Sequence, residues 1–170
     1  MDRSESSAGA GQIIMRQATE NDLNFLAECY VKIACHMKAG EQDFYIARLP
    51  DAPDETVRNH VARYVGREDA LTLVEEIEET PIACLLASIG GASFSASRVG
   101  KSGHIAVCWV EPVYRRAGLA GKLVSAAEDW FRQKEVAVVE LSYMVKNELA
   151  AMSWQRLGYQ PFRVFAYKQL

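Results

Sequence analysis

An α/β domain on a mixed sheet is the fold class this sequence predicts, on three observations. Short β-prone runs recur at residues 13–18, 71–77, 82–89, 104–111 and 136–143. Stretches of helical periodicity alternate with them around residues 19–39, 54–65, 117–134 and 147–157. The chain is 170 residues long, which suits one hydrophobic core.

Composition narrows the class of function. With 49% hydrophobic and 24% charged residues, the chain is neither a disordered segment nor a disulfide scaffold. Nineteen basic against 22 acidic side chains leave a net charge of -3, the wrong sign for a protein that holds nucleic acid by neutralising phosphates. No nucleic-acid partner is expected. Cys29, Cys35, Cys84 and Cys108 form no C-x-x-C pair and suit no zinc module, so they read as reduced, mostly buried thiols and no metal is expected. The first residues carry no apolar signal region, and no apolar run approaches the ~20 residues of a membrane helix. A cytoplasmic protein that does not bind membranes is the expectation.

Residues 1–11 mix Ser, Ala and Gly with a few charges and read as a flexible tail, leaving 12–170 as a single domain. A strand from Ile13 leads to a helix that starts at Thr19 and Asp22 and runs to about Ala39. Pro53 and an acidic first turn open a second helix, 54–65, on which Val57, Val61, Tyr64 and Val65 share a face. Residues 71–77 and 82–89 read as a hairpin turning at EETP with Pro81 in the turn. A loop at 90–103 precedes the strand HIAVCWVEP, stopped by Pro112. Leu119, Leu123, Ala126, Ala127 and Trp130 mark the buried face of the next helix. A buried strand at 136–143, a helix closed by Gly158 and a β-prone tail, FRVFAYKQL, complete the chain.

The chemistry is concentrated at the junction from Val110 to Gly121, where a strand ends, a Gly-containing turn follows and an amphipathic helix starts. The first turn of a helix presents unsatisfied amides and a partial positive charge, so a turn bearing Arg115, Arg116 and Gly118 suits a pyrophosphate. Two familiar phosphate loops are excluded. A nucleoside-triphosphate loop needs Ser or Thr after Gly-Lys, and here Leu123 follows Lys122; a dinucleotide fingerprint needs a third glycine beside Gly118 and Gly121.

The run from Arg115 to Ala120 reads R-x-x-G-x-A after a strand ending in V-E-P. A second block follows: strand VVELSY, then Asn147, Ala150, Ala151, Trp154 and Leu157-Gly158-Tyr159. Together they resemble the two ordered acetyl-CoA-binding blocks of the GNAT superfamily of N-acetyltransferases, over about residues 103 to 160. The resemblance implies a central mixed, mostly antiparallel sheet of about six to seven strands, flanked by about four helices and splayed between the fourth and fifth strands. It also implies transfer of acetyl from acetyl-CoA to a primary amine by direct attack in a ternary complex. Carried over residue by residue, Trp109 and Val110 would offer backbone groups to pantetheine. Arg115, Arg116, Ala117, Gly118, Leu119, Ala120 and Gly121 would hold the pyrophosphate, with Asn147 and Trp154 on the other side of the cofactor. Homodimerisation through the C-terminal strands is a further implication.

Direct attack needs a base for the ammonium proton and an acid for the leaving thiolate. His104 lies eleven residues before Arg115, where several members of the family carry Glu or His. By strict alternation it shares a strand face with Ala106, Cys108 and Val110. The family's usual acid is a Tyr on the last helix, but Trp154 occupies that position and an indole cannot shuttle a proton at neutral pH. Tyr143, Tyr159 or solvent stand in its place. That gap keeps open a second function, a non-catalytic acyl-CoA-binding module or sensor. For the acceptor, a small-molecule or peptide amine, Glu41, Asp43 and Tyr45 are the residues singled out, since an ammonium is held by carboxylates or aromatic rings.

Several of these residues have a structural role to set against the chemical one. His104 can stand idle at a strand start, Asn147 is a good helix N-cap, and Cys108 reads as a buried thiol before it reads as a nucleophile. Trp130 reads as packing, Arg98 and Lys101 as a solvated edge, and Glu75, Glu76, Glu78 and Glu79 as the acidic end of a hairpin.

Overall fold

The computed structural model of the protein describes residues 11–40, 44–94, 96 and 98–169. Strands β1 (Ile13–Gln17), β2 (Ala70–Ile77), β3 (Thr80–Gly91), β4 (Lys101–Val110) and β5 (Val139–Leu141) lie in that order across one sheet. The first four pair antiparallel in succession, and β5 runs parallel to β4. A parallel neighbour requires a crossover, which helix α3 (Leu119–Gln133) supplies. Helices α1 (Leu23–Gly40) and α2 (Glu55–Ala62) precede β2, and α4 (Glu148–Arg156) follows β5.

Two apolar layers sandwich the sheet. On one face Leu119, Leu123, Ala127 and Phe131 of α3 pack on Leu71, Leu85 and Ile105, with Ala126 and Trp130 half-buried at the margin. On the other, Leu26 and Ala27 of α1 and Val57 and Val61 of α2 pack on Val74, Cys84, Leu86 and Val107. The α3 layer depends on a missing side chain: a Cβ on Gly103 would stand 2.5 Å from the Phe131 ring. Asp22, buried at the start of α1, accepts hydrogen bonds from Arg16 at 2.8 and 2.9 Å and from the Thr19 amide at 2.7 Å. Arg16 also reaches Glu76, so β1, β2 and the entry to α1 share one charged node.

The fold departs from the sequence reading in five places. The sheet of the described residues has five strands, not six to seven. Residues 160–169 form no ladder, because Pro161 has no amide to donate and the three-residue β5 is a short template. The hairpin turns at Glu78 and Glu79, both with positive φ (49° and 62°), while Pro81 sits inside β3 opposite Glu76, at an irregularity in the register. The second helix is shorter than expected, and β4 starts at Lys101, inside the expected loop. Finally, a bulge interrupts β4: Leu86 faces Val107 but Ala87 faces Ile105, leaving Ala106 without a partner in that register. The expected tail lies outside the described residues except Gly11, as do Glu41 and Asp43.

Candidate functional site

The site is built where β4 leaves β5. Their ladder has three rungs, Gly103 with Val139, His104 with Glu140 and Ile105 with Leu141, and no pairing joins the strands beyond. The rest of β4, from the bulge to Val110, therefore has an open edge on that side, as the expected splay requires. Register decides which groups face it. The Glu111 amide donates to the Ile82 carbonyl at 2.9 Å, and backbone groups two residues apart point the same way. Trp109 therefore turns its backbone toward Cys84 of β3, and Cys108 and Val110 turn theirs to the open edge.

The bulge also reassigns the side chains. An extra residue reverses the alternation, so Ile105, Cys108 and Val110 face α3 while Val107 and Trp109 face α1 and α2. Gly103 faces Phe131, which puts its neighbour His104 on the α1/α2 face, with Trp109 and not with Cys108 and Val110.

Past Val110 a short 3-10 turn, Pro112–Tyr114, leads into the loop before α3. Arg116 (φ 68°) and Gly118 (φ 80°) are both left-handed, and Gly118 is the N-cap of α3. Successive amides from Arg116 to Gly121 donate to no acceptor among the described residues; the Lys122 amide is the first to close a helical turn, onto the Gly118 carbonyl at 3.1 Å. A Cβ on Gly118 would meet nothing within 4 Å, so the space above that residue is open. Unbonded amides, the positive end of α3 and open space make a cradle for an oxyanion. Arg115 is partly engaged: its Nε donates to the Val110 carbonyl at 2.9 Å and its guanidinium lies 4.7 Å from the Trp109 ring. Trp109 Nε1 in turn donates to Glu111, which pairs with Lys32 of α1.

Two ionisable groups lie on the α3 side of the sheet. Burial pushes the Glu75 carboxyl up, against the opposing charge of Lys122, and its Oε2 is buried with no hydrogen-bond partner. Burial first, and Glu75 second, push the Cys108 thiol up to about 12. A thiol that stays protonated is not a nucleophile at neutral pH, so Cys108 fits its structural role.

The two tyrosines differ. Tyr159 donates its hydroxyl to Glu128 of α3 at 3.1 Å; burial, then the Glu128 charge and that hydrogen bond, hold the phenol above its ordinary range. Tyr143 stands two residues beyond β5, on the arm that diverges from β4. Asn147 caps α4, its Oδ1 accepting from the Ala150 amide at 3.0 Å. Trp154 packs its ring edge to Tyr159, centroids 5.4 Å apart. Tyr45 is largely exposed and stacks edge-on against Tyr167 at 5.0 Å, so residues 44–48 meet the C-terminal segment. Among the described residues, no group of three or more His, Cys, Asp or Glu is placed to hold a metal ion, and no helix is long and apolar enough to cross a membrane.

Sequence reasoning missed Glu140. Its Oε2 lies 3.4 Å from His104 Nε2 and accepts a hydrogen bond from Ser93 Oγ, with Ser102 Oγ at 3.5 Å. The signal was there: Glu140 is the lone charged residue in the apolar run VAVVELSY.

Comparison with known proteins bears on this geometry. The model of the acetyltransferase (GNAT) family matches residues 36–159. Among solved structures, a GCN5-related N-acetyltransferase from Ralstonia eutropha superimposes with a TM-score of 0.73 at 18% identity, over 93% of this chain and 99% of that one. An aminoglycoside antibiotic 6'-N-acetyltransferase from Acinetobacter baumannii gives 0.70 at 20%, over 94% and 99%. A predicted acetyltransferase from Clostridium acetobutylicum, solved with acetyl-CoA, gives 0.72 at 14%, over 93% and 96%.

Proposed function

Since this chain belongs to the GNAT acetyltransferase family, we propose that it is an N-acetyltransferase that uses acetyl-CoA and acetylates a primary amine by direct attack in a ternary complex. The observation that carries this reading is the run of unbonded amides from Arg116 to Gly121, beside the open edge of β4.

The residues present fit acetyl-CoA. Amides 116–121, the α3 dipole and the Arg116 side chain offer positive potential to a pyrophosphate, and open space at Gly118 admits its close approach. Cys108 and Val110, whose backbone faces the open edge, offer the donors expected beside a pantetheine arm, in place of Trp109. When bound, acetyl-CoA supplies an acetyl group activated as a thioester. The protein must then take a proton from the acceptor ammonium, orient the neutral amine and steady charge as it grows on the acyl oxygen. His104, exposed enough to be reached and set at the closed end of the β4–β5 split, is the proposed base. The free amides on the open edge are the proposed oxyanion donors. For the departing thiolate, Tyr143 is the proposed acid, since the Tyr159 hydroxyl is committed to Glu128.

Calorimetric titration with acetyl-CoA, with dephospho-CoA and ATP as controls, tests cofactor binding. Release of free CoA on adding amines tests transfer. Selective micromolar binding with thiol release supports the proposal; binding without release from any amine supports a sensor, and absence of binding overturns both.

A further inference from the structure

A cavity of about 380 Å³ opens beside the start of β5, within the size range of small-molecule sites. Its walls are mostly apolar, Phe94 and Val99 before β4, Val138 and Val139 at β5 and Phe162 in the C-terminal segment, with Gln160 as an uncharged polar side chain among them. Among the described residues that line it, the one charged group is Glu140. All recorded contacts of that carboxylate, with Ser93, Ser102 and His104, fall on Oε2; Oε1 has no donor among the described residues. The cavity and His104 are thus joined through one side chain, and the cavity lies at the end of β4 opposite the amide cradle.

We propose that this cavity is the acceptor site and that it selects a primary monoamine carried on an apolar, aromatic-sized group. This rests on the acetyltransferase reading above. Charge complementarity places the ammonium at Glu140 Oε1, next to the imidazole proposed to receive its proton. The apolar walls take the body of the acceptor, and apart from Glu140 the described lining offers only Gln160 as a polar partner, so further charges would be desolvated there without a counter-charge. Arg163 adds a repulsive element: its guanidinium lies 5.2 Å from the Phe94 ring and 5.9 Å from the Phe162 ring, where a second cationic centre would meet it. Polyamines and aminoglycosides are therefore disfavoured.

The test is calorimetric titration of the protein, saturated with CoA, with phenethylamine, phenethyl alcohol, spermidine and kanamycin, together with CoA release from acetyl-CoA. Phenethylamine should bind at least about tenfold more tightly than spermidine or kanamycin. Phe94→Ala should weaken both phenethyl ligands about tenfold. Glu140→Gln should weaken the amine and leave the alcohol unchanged; both variants should keep their CoA affinity, which shows that they fold. Equal or tighter binding of the polycations, or an unchanged Phe94→Ala, overturns the site. Amine turnover without this preference would overturn the pocket and leave the transferase reading standing. Selective binding of phenethylamine without thiol release would do the reverse.

Discussion

His104 Nε2 lies 3.4 Å from Glu140 Oε2, across the short parallel ladder that joins β4 to β5. The imidazole thereby sits at the closed end of the split, between the amide cradle and the cavity.

His104→Ala should lower kcat by about 10²- to 10⁴-fold, the range for loss of a general base, and leave acetyl-CoA affinity unchanged. The pH–rate profile checks the assignment: it should change shape in the variant. A profile identical to that of the unmodified protein would remove His104 from the mechanism.

Gly118→Val should weaken acetyl-CoA binding by at least about tenfold. The residue has φ 80°, where a β-branched side chain is strained by about 1–2 kcal/mol, and its Cβ would project into the space assigned to the phosphate. Titration calorimetry measures this directly. Unaltered affinity would contradict the phosphate assignment.

Cys108 should resist alkylation by iodoacetamide at pH 8 in the folded protein, since its thiol is pushed up to about 12. Cys35, exposed on α1, should react first, and mass spectrometry of the peptides separates the two. Rapid labelling of Cys108 would show a more open β4 edge.

Asp22→Asn should destabilise the fold by about 1.5–3 kcal/mol at pH 7, the range for a hydrogen bond to a charged group. Its hydrogen bonds to Arg16 lead the causes that lower the folded-state carboxyl below its ordinary value. A lowered carboxyl stabilises above the unfolded value of about 4 and loses that contribution as pH falls through the folded value. Urea unfolding at pH 7 and pH 3 should therefore show a smaller difference in the variant than in the parent.

Gly103→Ala should cost about 1–3 kcal/mol, because the added methyl would stand 2.5 Å from the Phe131 ring and force α3 to shift. Thermal unfolding reads it, and Gly90→Ala, whose Cβ meets nothing within 4 Å, is the control.

The elements legible in the sequence are those set by local chemistry. Periodicity placed the buried face of α3 on Leu119, Leu123 and Ala127, and Thr19 with Asp22 marked the entry to α1. Gly118 and Gly158 both proved to be left-handed residues at helix ends. The amide cradle was legible for the same reason: a helix N-terminus after a strand exposes its amides whatever packs around it.

What the sequence by itself determined, then, is the order of the elements, the face α3 buries and the position of the cradle, because each depends on residues a turn or two apart. Tertiary structure alone decided which face His104 occupies, which β4 groups border the open edge and that Glu140 stands beside the imidazole. The physical reason is that a bulge arises from pairing β4 with β3, and one unpaired residue there moves every later side chain to the other face. The parallel ladder that brings Glu140 to His104 likewise exists only once α3 has carried the chain back to the sheet.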